Sequence, residues 1–321
     1  MNIITHRTNC YILLLGLILF SWHGNLHAAK KELNWAGCGI SELGFMKDLA
    51  ASYEEKTGIR INLDGGGATK GIREVASMGA QLGSTCRMPL VHHDANGKES
   101  IDAREDNIKI IPVGWDALVV IVNQNNTMID SISRDQLQDI LTGKITHWNQ
   151  LGADSEFPIN LYVRPGKVSG VGLTLRQQLF NNRDQDFAKS AIIRPSSGRI
   201  EEAVADDPFG MAVSGISSSR HRPVNMLKLE GVEPSMENLR SGKYFLYRLL
   251  FLVVTEDYQK VAEINDFVSF ALSSEGQRVI RQAGTLPYHQ GISLLFSSTS
   301  QDYLHNIDIM ERHGIYTLSD Q

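Results

Sequence analysis

Apolar and polar positions fall into three blocks with one layout: a short apolar run, a turn of small residues, then helical spacing. In the first block, residues 33–35 start a strand and residues 37–41 form a tight loop. Phe45, Met46, Leu49, Ala50 and Tyr53 then line one side of a helix over residues 42–57, which Gly58 stops. In the second, a strand over residues 60–63 runs into three glycines, Gly65, Gly66 and Gly67, and a helix opens at Ala68 and Thr69. The third spans residues 159–180: strand, loop with Gly166, Gly170 and Gly172, amphipathic helix. Between them, residues 81–90 read as a strand and a turn closed by Pro89, and residues 108–122 as a buried strand pair or a strand crossing between lobes. Ser133 is a natural helix cap. Repeated strand, turn and helix units predict an α/β protein whose small-residue loops gather at the carboxyl edge of a parallel sheet.

The third block has the chemistry of an anion site. Arg164 closes its strand with a planar fork suited to two oxyanion oxygens, and Ser169 and Gly170 precede free helix N–H groups. The loop lacks the Gly-Lys-Ser/Thr ending of a Walker motif.

Length and composition add a compartment. At 321 residues, 42% of them hydrophobic and 21% charged, the chain suits a globular protein of two lobes. Arg7, an apolar run over residues 11–22, and the small residues Ala28 and Ala29 predict a cleaved secretory signal over residues 1–28. Cleavage removes one positive charge and takes the formal net charge from −5 to −6, so there is no basic footprint for nucleic acid. In an oxidising compartment the remaining Cys38 and Cys86 predict one disulfide, the alternative being two separate buried thiols. No paired Cys/His spacing marks a metal site, and no cofactor motif is present. Neither a nucleophile elbow nor a triad spacing supports an enzyme.

The segment LTGKITHWNQLG, residues 141–152, resembles one found in periplasmic phosphate-binding proteins of ABC importers, members of the type II solute-binding protein family. Five more segments are similar to that family in the same order: GGGATKGI, RPGKVSG, DDPFGMAVSG, SGKYFLYRLLFLV and FALSSEGQRVIRQAGTLPY. The resemblance implies a type II periplasmic-binding-protein fold, two α/β lobes joined by crossing strands near residues 113–120 and 247–254. The lobes would comprise residues 29–115 with 247–291, and residues 116–246, with residues 292–321 as a tail packed on a lobe.

It also implies a monomeric, periplasmic capture protein for an inorganic oxyanion, foremost phosphate, with a membrane ABC importer as partner. Sulfate, molybdate or tungstate binding is the alternative, as is an adhesin or sensor of the same fold. Matched position by position, Arg164 corresponds to the family's arginine, and Ser169, Gly170 and Val171 to its serine, glycine and threonine. Ala68 or Thr69 corresponds to the serine of the second helix start, and Ile40 and Ser41 to the first loop's donors. Three departures stand out. Arg164 lies one residue further from Ser169 than usual, Val171 carries no hydroxyl, and Cys86 and Arg87 occupy the place of an aspartate that accepts the phosphate proton. Arg87 becomes a candidate donor, and Asp64 or Asp116 a replacement acceptor. The blander expectations are packing roles for Trp115 and Trp148, a cap at Ser196, and a solvated loop over residues 214–222.

Overall fold

The computed structural model describes residues 31–154, 156–297 and 301–316. The expected signal over residues 1–28 lies outside them, as do residues 317–321 of the tail.

Strand β1 (Glu32–Gly37) leads into α1 (Gly39–Ser41), which continues through a π-helical turn (Glu42–Met46) into α2 (Lys47–Thr57). The loop expected over residues 37–41 is thus shorter than the sequence suggested, because Cys38 caps a helix that starts at once. Gly58, at φ 74°, ends α2 in the left-handed conformation that glycine adopts without strain. The unit repeats with β2 (Arg60–Gly65) and α3 (Ala68–Ala76), followed by β3 (Leu82–Thr85), a hairpin of β4 (Val91–His93) and β5 (Glu99–Ile101), and β6 (Ile108–Asn123). Next come β7 (Ser131–Ile132), α4 (Arg134–Thr142), β8 (Asn160–Val163), α5 (Gly170–Phe180), β9 (Ile192–Ile193), α6 (Ser197–Asp206) and β10 (Gly210–Gly215). After α7 (Ile216–Ser219), β11 (Val224–Met226), β12 (Lys228–Leu229) and α8 (Met236–Arg240), the chain returns along β13 (Tyr247–Thr255). It finishes with α9 (Ala262–Leu272), α10 (Ser274–Ala283), β14 (Leu286–Pro287) and α11 (Gln301–Arg312).

One ten-stranded sheet, ordered β2-β1-β3-β13-β6-β10-β8-β9, organises all of this, with β11 and β14 also paired to β6. Its flanks are parallel: β1 with β2 and β3 on one side, β8 with β10 and β9 on the other. Its middle is antiparallel, with β13 between β3 and β6, and β6 beside β10. Strand β6 changes partner along its length. Ile108 to Ala117 face β13, and Leu118 to Val122 face β10. The crossings expected at residues 113–120 and 247–254 fall inside β6 and β13. Only Lys109 in β6 is not fully buried, which explains its nearly continuous apolar sequence: a strand covered on both faces has no polar side to show.

Packing follows the sequence closely. Trp115 and Trp148 are fully buried, and the Trp115 indole N–H donates to the Tyr288 carbonyl at 3.0 Å while its ring stacks on Tyr288. The cap expected at Ser133 is a complete capping box with Gln136, and Ser196 accepts from the Arg199 N–H at 3.2 Å. Ile309, Met310, Ile315 and Tyr316 of the tail are buried, and Tyr316 bridges to Ile110 of β6. Among the described residues no helix is long and apolar enough to cross a membrane.

Candidate anion site

The carboxyl ends of β1, β2, β3, β8 and β10 point to one crevice, as parallel pairing requires of the strands within each flank. Three helices begin there. Gly67, the cap of α3, offers no side chain, so the first N–H groups of α3, including those of Ala68 and Thr69, have no intrahelical acceptor. Ser169 caps α5 by accepting from the Gly172 N–H at 3.2 Å, which leaves the Gly170 and Val171 N–H groups at the exposed end of the helix dipole. Cys38 caps α1, its sulfur accepting from the Ser41 N–H at 3.4 Å and lying 3.1 Å from the Ser41 hydroxyl.

These starts meet across the crevice. The Gly67 N–H donates to the Gly37 carbonyl at 3.0 Å, and a β-carbon at Gly67 would stand 2.8 Å from Arg164 Nη2. A β-carbon at Gly170 would overlap Cys86 Sγ and come 3.4 Å from Ala68 Cβ. Thr69 donates to the Val168 carbonyl at 3.4 Å, so the turns preceding α3 and α5 touch directly. Glycine at positions 67 and 170 is therefore a packing requirement: any side chain there would hold the two halves apart.

Arg164 supplies the free charge. Its guanidinium is half-buried, Nη1 is fully covered, and that nitrogen has no acceptor among the described residues. Burial pulls its pKa below the ordinary arginine value, against the opposing influence of the Cys86 and Cys38 thiols. A second arginine, Arg248, lies wholly buried in β13, with Nη2 3.3 Å from the Asp116 carboxylate of β6. Asp116 also accepts from the Ser217 N–H at 3.0 Å. Burial raises its pKa, and Arg248 opposes this. Sequence reading considered Asp116 but missed Arg248, although an arginine inside the apolar run of residues 244–254 was a visible signal. Asp64, the other acceptor considered, is exposed and paired with Lys70 at 2.6 Å.

Three expectations need correction. Cys38 and Cys86 are free thiols, both buried. Each sulfur is engaged locally, Cys38 as a helix cap and Cys86 against Gly170. The neighbouring Cys86 thiol, with help from Arg248 and Ser41 against the effect of burial, lowers the Cys38 pKa to about 6, and Cys38 together with burial raises that of Cys86. Arg87 is not a free donor. It is buried in a bidentate pair with Glu105, at 2.8 and 2.7 Å, and its Nη1 and Nη2 also donate to the Met88 carbonyl at 2.8 Å and the Thr69 hydroxyl at 3.0 Å respectively. A fully buried glutamate demands such a counter-charge, so Arg87 orients Thr69 rather than facing the crevice itself. The polar run over residues 214–222 is not a solvated loop either. Ser217, Ser218 and Ser219 are fully buried, and Ser214 and Ser218 donate to the buried Glu201 at 2.5 Å each.

Of the remaining candidates, Ile40 and Ser41 are buried in α1, and Ile40 packs where a β-carbon of Gly215 would lie, 2.7 Å from its Cγ2. Ala68, Thr69, Arg164, Ser169, Gly170 and Val171 all line the meeting point of α3 and α5.

A family model described as the PBP superfamily domain matches residues 38–275, which begins at the first crevice thiol and ends inside α10. The chain belongs to this family. Its fold is the two-lobed α/β type II periplasmic-binding-protein fold. The phosphate-binding protein PstS of Bacillus subtilis is 25% identical over 271 residues, covering 82% of this chain and 85% of its own. A Clostridium perfringens protein described as a phosphate ABC transporter substrate-binding protein, solved with bound phosphate, has a TM-score of 0.67 at 22% identity, covering 80% of this chain and 99% of its own. PfluDING, a high-affinity periplasmic phosphate-binding protein also solved with phosphate, has a TM-score of 0.61 at 11% identity, covering 90% and 100%.

Proposed function

We propose that this family member is a monomeric solute-binding protein, exported by its N-terminal signal, that captures inorganic phosphate in the periplasm for a membrane ABC importer. The observation that carries the reading is the convergence of three helix starts on a guanidinium with a buried, unpartnered N–H. Phosphate would lie among the N–H groups of Ile40, Ala68, Thr69, Gly170 and Val171, the Ser41, Thr69 and Ser169 hydroxyls, and Arg164. Arg87 would act through Thr69. Such neutral donors stabilise a dehydrated anion without full ion pairing, and Arg164 adds one charge-assisted contact. The names of the relatives support the choice of ligand and of transport partner. Binding rather than catalysis is what the site offers.

The lobes would be residues 29–115 with 247–291, and residues 116–246, the tail packing on the first. Contacts such as Thr69 to Val168 would then be made in the closed state and lost on opening.

A second reading, capture of a fully ionised oxyanion, is favoured by one observation. Asp116, an acceptor the sequence offered for the phosphate proton, is instead committed to Arg248 and Ser217. Calorimetric titration of phosphate-free mature protein separates the two readings. Tight binding of phosphate alone is expected; preference for sulfate, molybdate or tungstate would transfer the assignment, and silence towards all four would end it.

A further inference from the structure

Helix α5 carries a second buried arginine that the oxyanion reading leaves without a task. Arg176 is 4% exposed, and its guanidinium stacks on the Phe187 ring at 4.0 Å while Nε donates to the Gln185 carbonyl at 2.7 Å. Its Nη1 is covered and has no acceptor among the described residues. The carboxylates whose charges act on it, Asp184 and Asp186, are exposed and pair with Lys167 at 3.8 and 3.1 Å. A buried charge kept without an ion pair costs stability, so its place calls for a use. Side chains on a helix lean toward its amino end, and Arg176 lies one turn after Gly172 and two after the cap, Ser169. Gly172 leaves the path open. A β-carbon there would stand 2.9 Å from Arg176 Nη1 and 2.7 Å from Ser169 Oγ, which puts the unfilled N–H beside the hydroxyl of a proposed ligand donor.

We infer that Arg176 is a positioning residue of the oxyanion site: while an oxyanion is held, its Nη1 donates to the Ser169 hydroxyl and makes Ser169 a donor alone. A hydroxyl has two lone pairs and one hydrogen. Ser169 Oγ already accepts from the Gly172 N–H at 3.2 Å. With the second lone pair taken by Arg176, only the hydrogen is left, and it turns to the ligand. The start of α3 has the same device complete, Arg87 Nη2 donating to the Thr69 hydroxyl at 3.0 Å. Two crevice hydroxyls, each backed by a buried guanidinium, then favour ligand oxygens that carry charge over ones that carry a proton. Arg176 itself touches no ligand; its effect passes through Ser169.

The inference rests on the oxyanion reading, and its test separates the two. Arg176→Met, Ser169→Ala and the two combined, each shown to be folded by circular dichroism and thermal unfolding, are titrated calorimetrically with whichever of phosphate, sulfate, molybdate and tungstate the wild type binds best. Each single variant should bind about tenfold more weakly, the loss of one hydrogen bond to a charged group. The double variant should be scarcely weaker than either, because both changes break one chain of contacts. Nitrogen-15 NMR of the arginine side chains gives a reading that needs no change at Arg176. A saturating oxyanion should shift and sharpen the Arg176 Nη signals in the wild type and leave them unmoved in Ser169→Ala. Unchanged affinity in folded Arg176→Met, losses that multiply in the double variant, or Arg176 signals that answer the ligand equally without the Ser169 hydroxyl would overturn the positioning role while the oxyanion reading stands. A wild type silent towards all four anions would end that reading, and this inference with it.

Discussion

Arg164 is the residue on which the oxyanion assignment rests most heavily. Its partner in the bound state would be the ligand itself, since Nη1 has no protein acceptor among the described residues. Arg164→Ala should therefore weaken phosphate binding by about 2–5 kcal/mol, the cost of truncating a desolvated charge contact, and calorimetry reads this as at least a tenfold rise in Kd. Unaltered affinity would place the ligand elsewhere. The places of Arg164, Ser169 and Gly170 at a strand end, a cap and a helix start were legible in the sequence because they depend on local order. Arg248 and the buried serines were not. A single arginine in an apolar strand and a serine-rich run look like an edge and a loop until the fold brings Asp116 and Glu201 against them. Cysteine pairing failed for a related reason: proximity was foreseen, but not that each sulfur has its own local partner.

At the scale of elements, Glu105 ties the turn after β3 to α3. It holds Arg87 in two hydrogen bonds, accepts from the Leu90 N–H at 3.0 Å and reaches Arg73 at 3.1 Å. Burial pushes its pKa up, but these donors outweigh burial and the net shift is downward. A carboxylate whose pKa is lowered on folding stabilises the protein above the unfolded value, about 4.3 for glutamate, and loses that contribution as pH falls through the lower folded value. Glu105→Gln leaves Arg87 without its counter-charge. It should cost about 3–5 kcal/mol at neutral pH, and the gap to wild type should narrow as the medium is acidified below about pH 4. Thermal unfolding of both proteins along a pH series measures it; a constant gap would mean that Glu105 is held by packing alone. The strands and helices themselves were readable from periodicity and caps. Hidden in the sequence was the join between them, because the Glu105–Arg87–Thr69 chain spans three elements and has no spacing signature.

For the whole molecule, the proposed capture between lobes would make closure and ligand binding one equilibrium. Any ligand that binds only the folded, closed protein raises stability by an amount set by its concentration relative to Kd, about 2.7 kcal/mol at one hundred times Kd. Phosphate should thus raise the Tm of the wild type in proportion to the logarithm of its concentration, and Arg164→Ala should flatten that dependence. A Tm indifferent to phosphate in the wild type would contradict capture between lobes. The two-lobed plan was accessible from motif order along the chain. The single sheet running through it was not, since nothing local reveals that β6 serves β13 with one end and β10 with the other.

That shared strand also fixes an order of assembly. In the sheet, β3 meets β6 only through β13, and β13 lies more than 120 residues after the end of β6. The amino-terminal third of the chain can form β1, β2 and β3 as they are synthesised, but their sheet keeps an open edge until the residues of β13 arrive. Such long-range pairing is slow, because a large loop must close before the contact rewards it. The chain thereby delays its own completion until nearly all of it has been made, which leaves a polypeptide still incompletely folded for most of its synthesis.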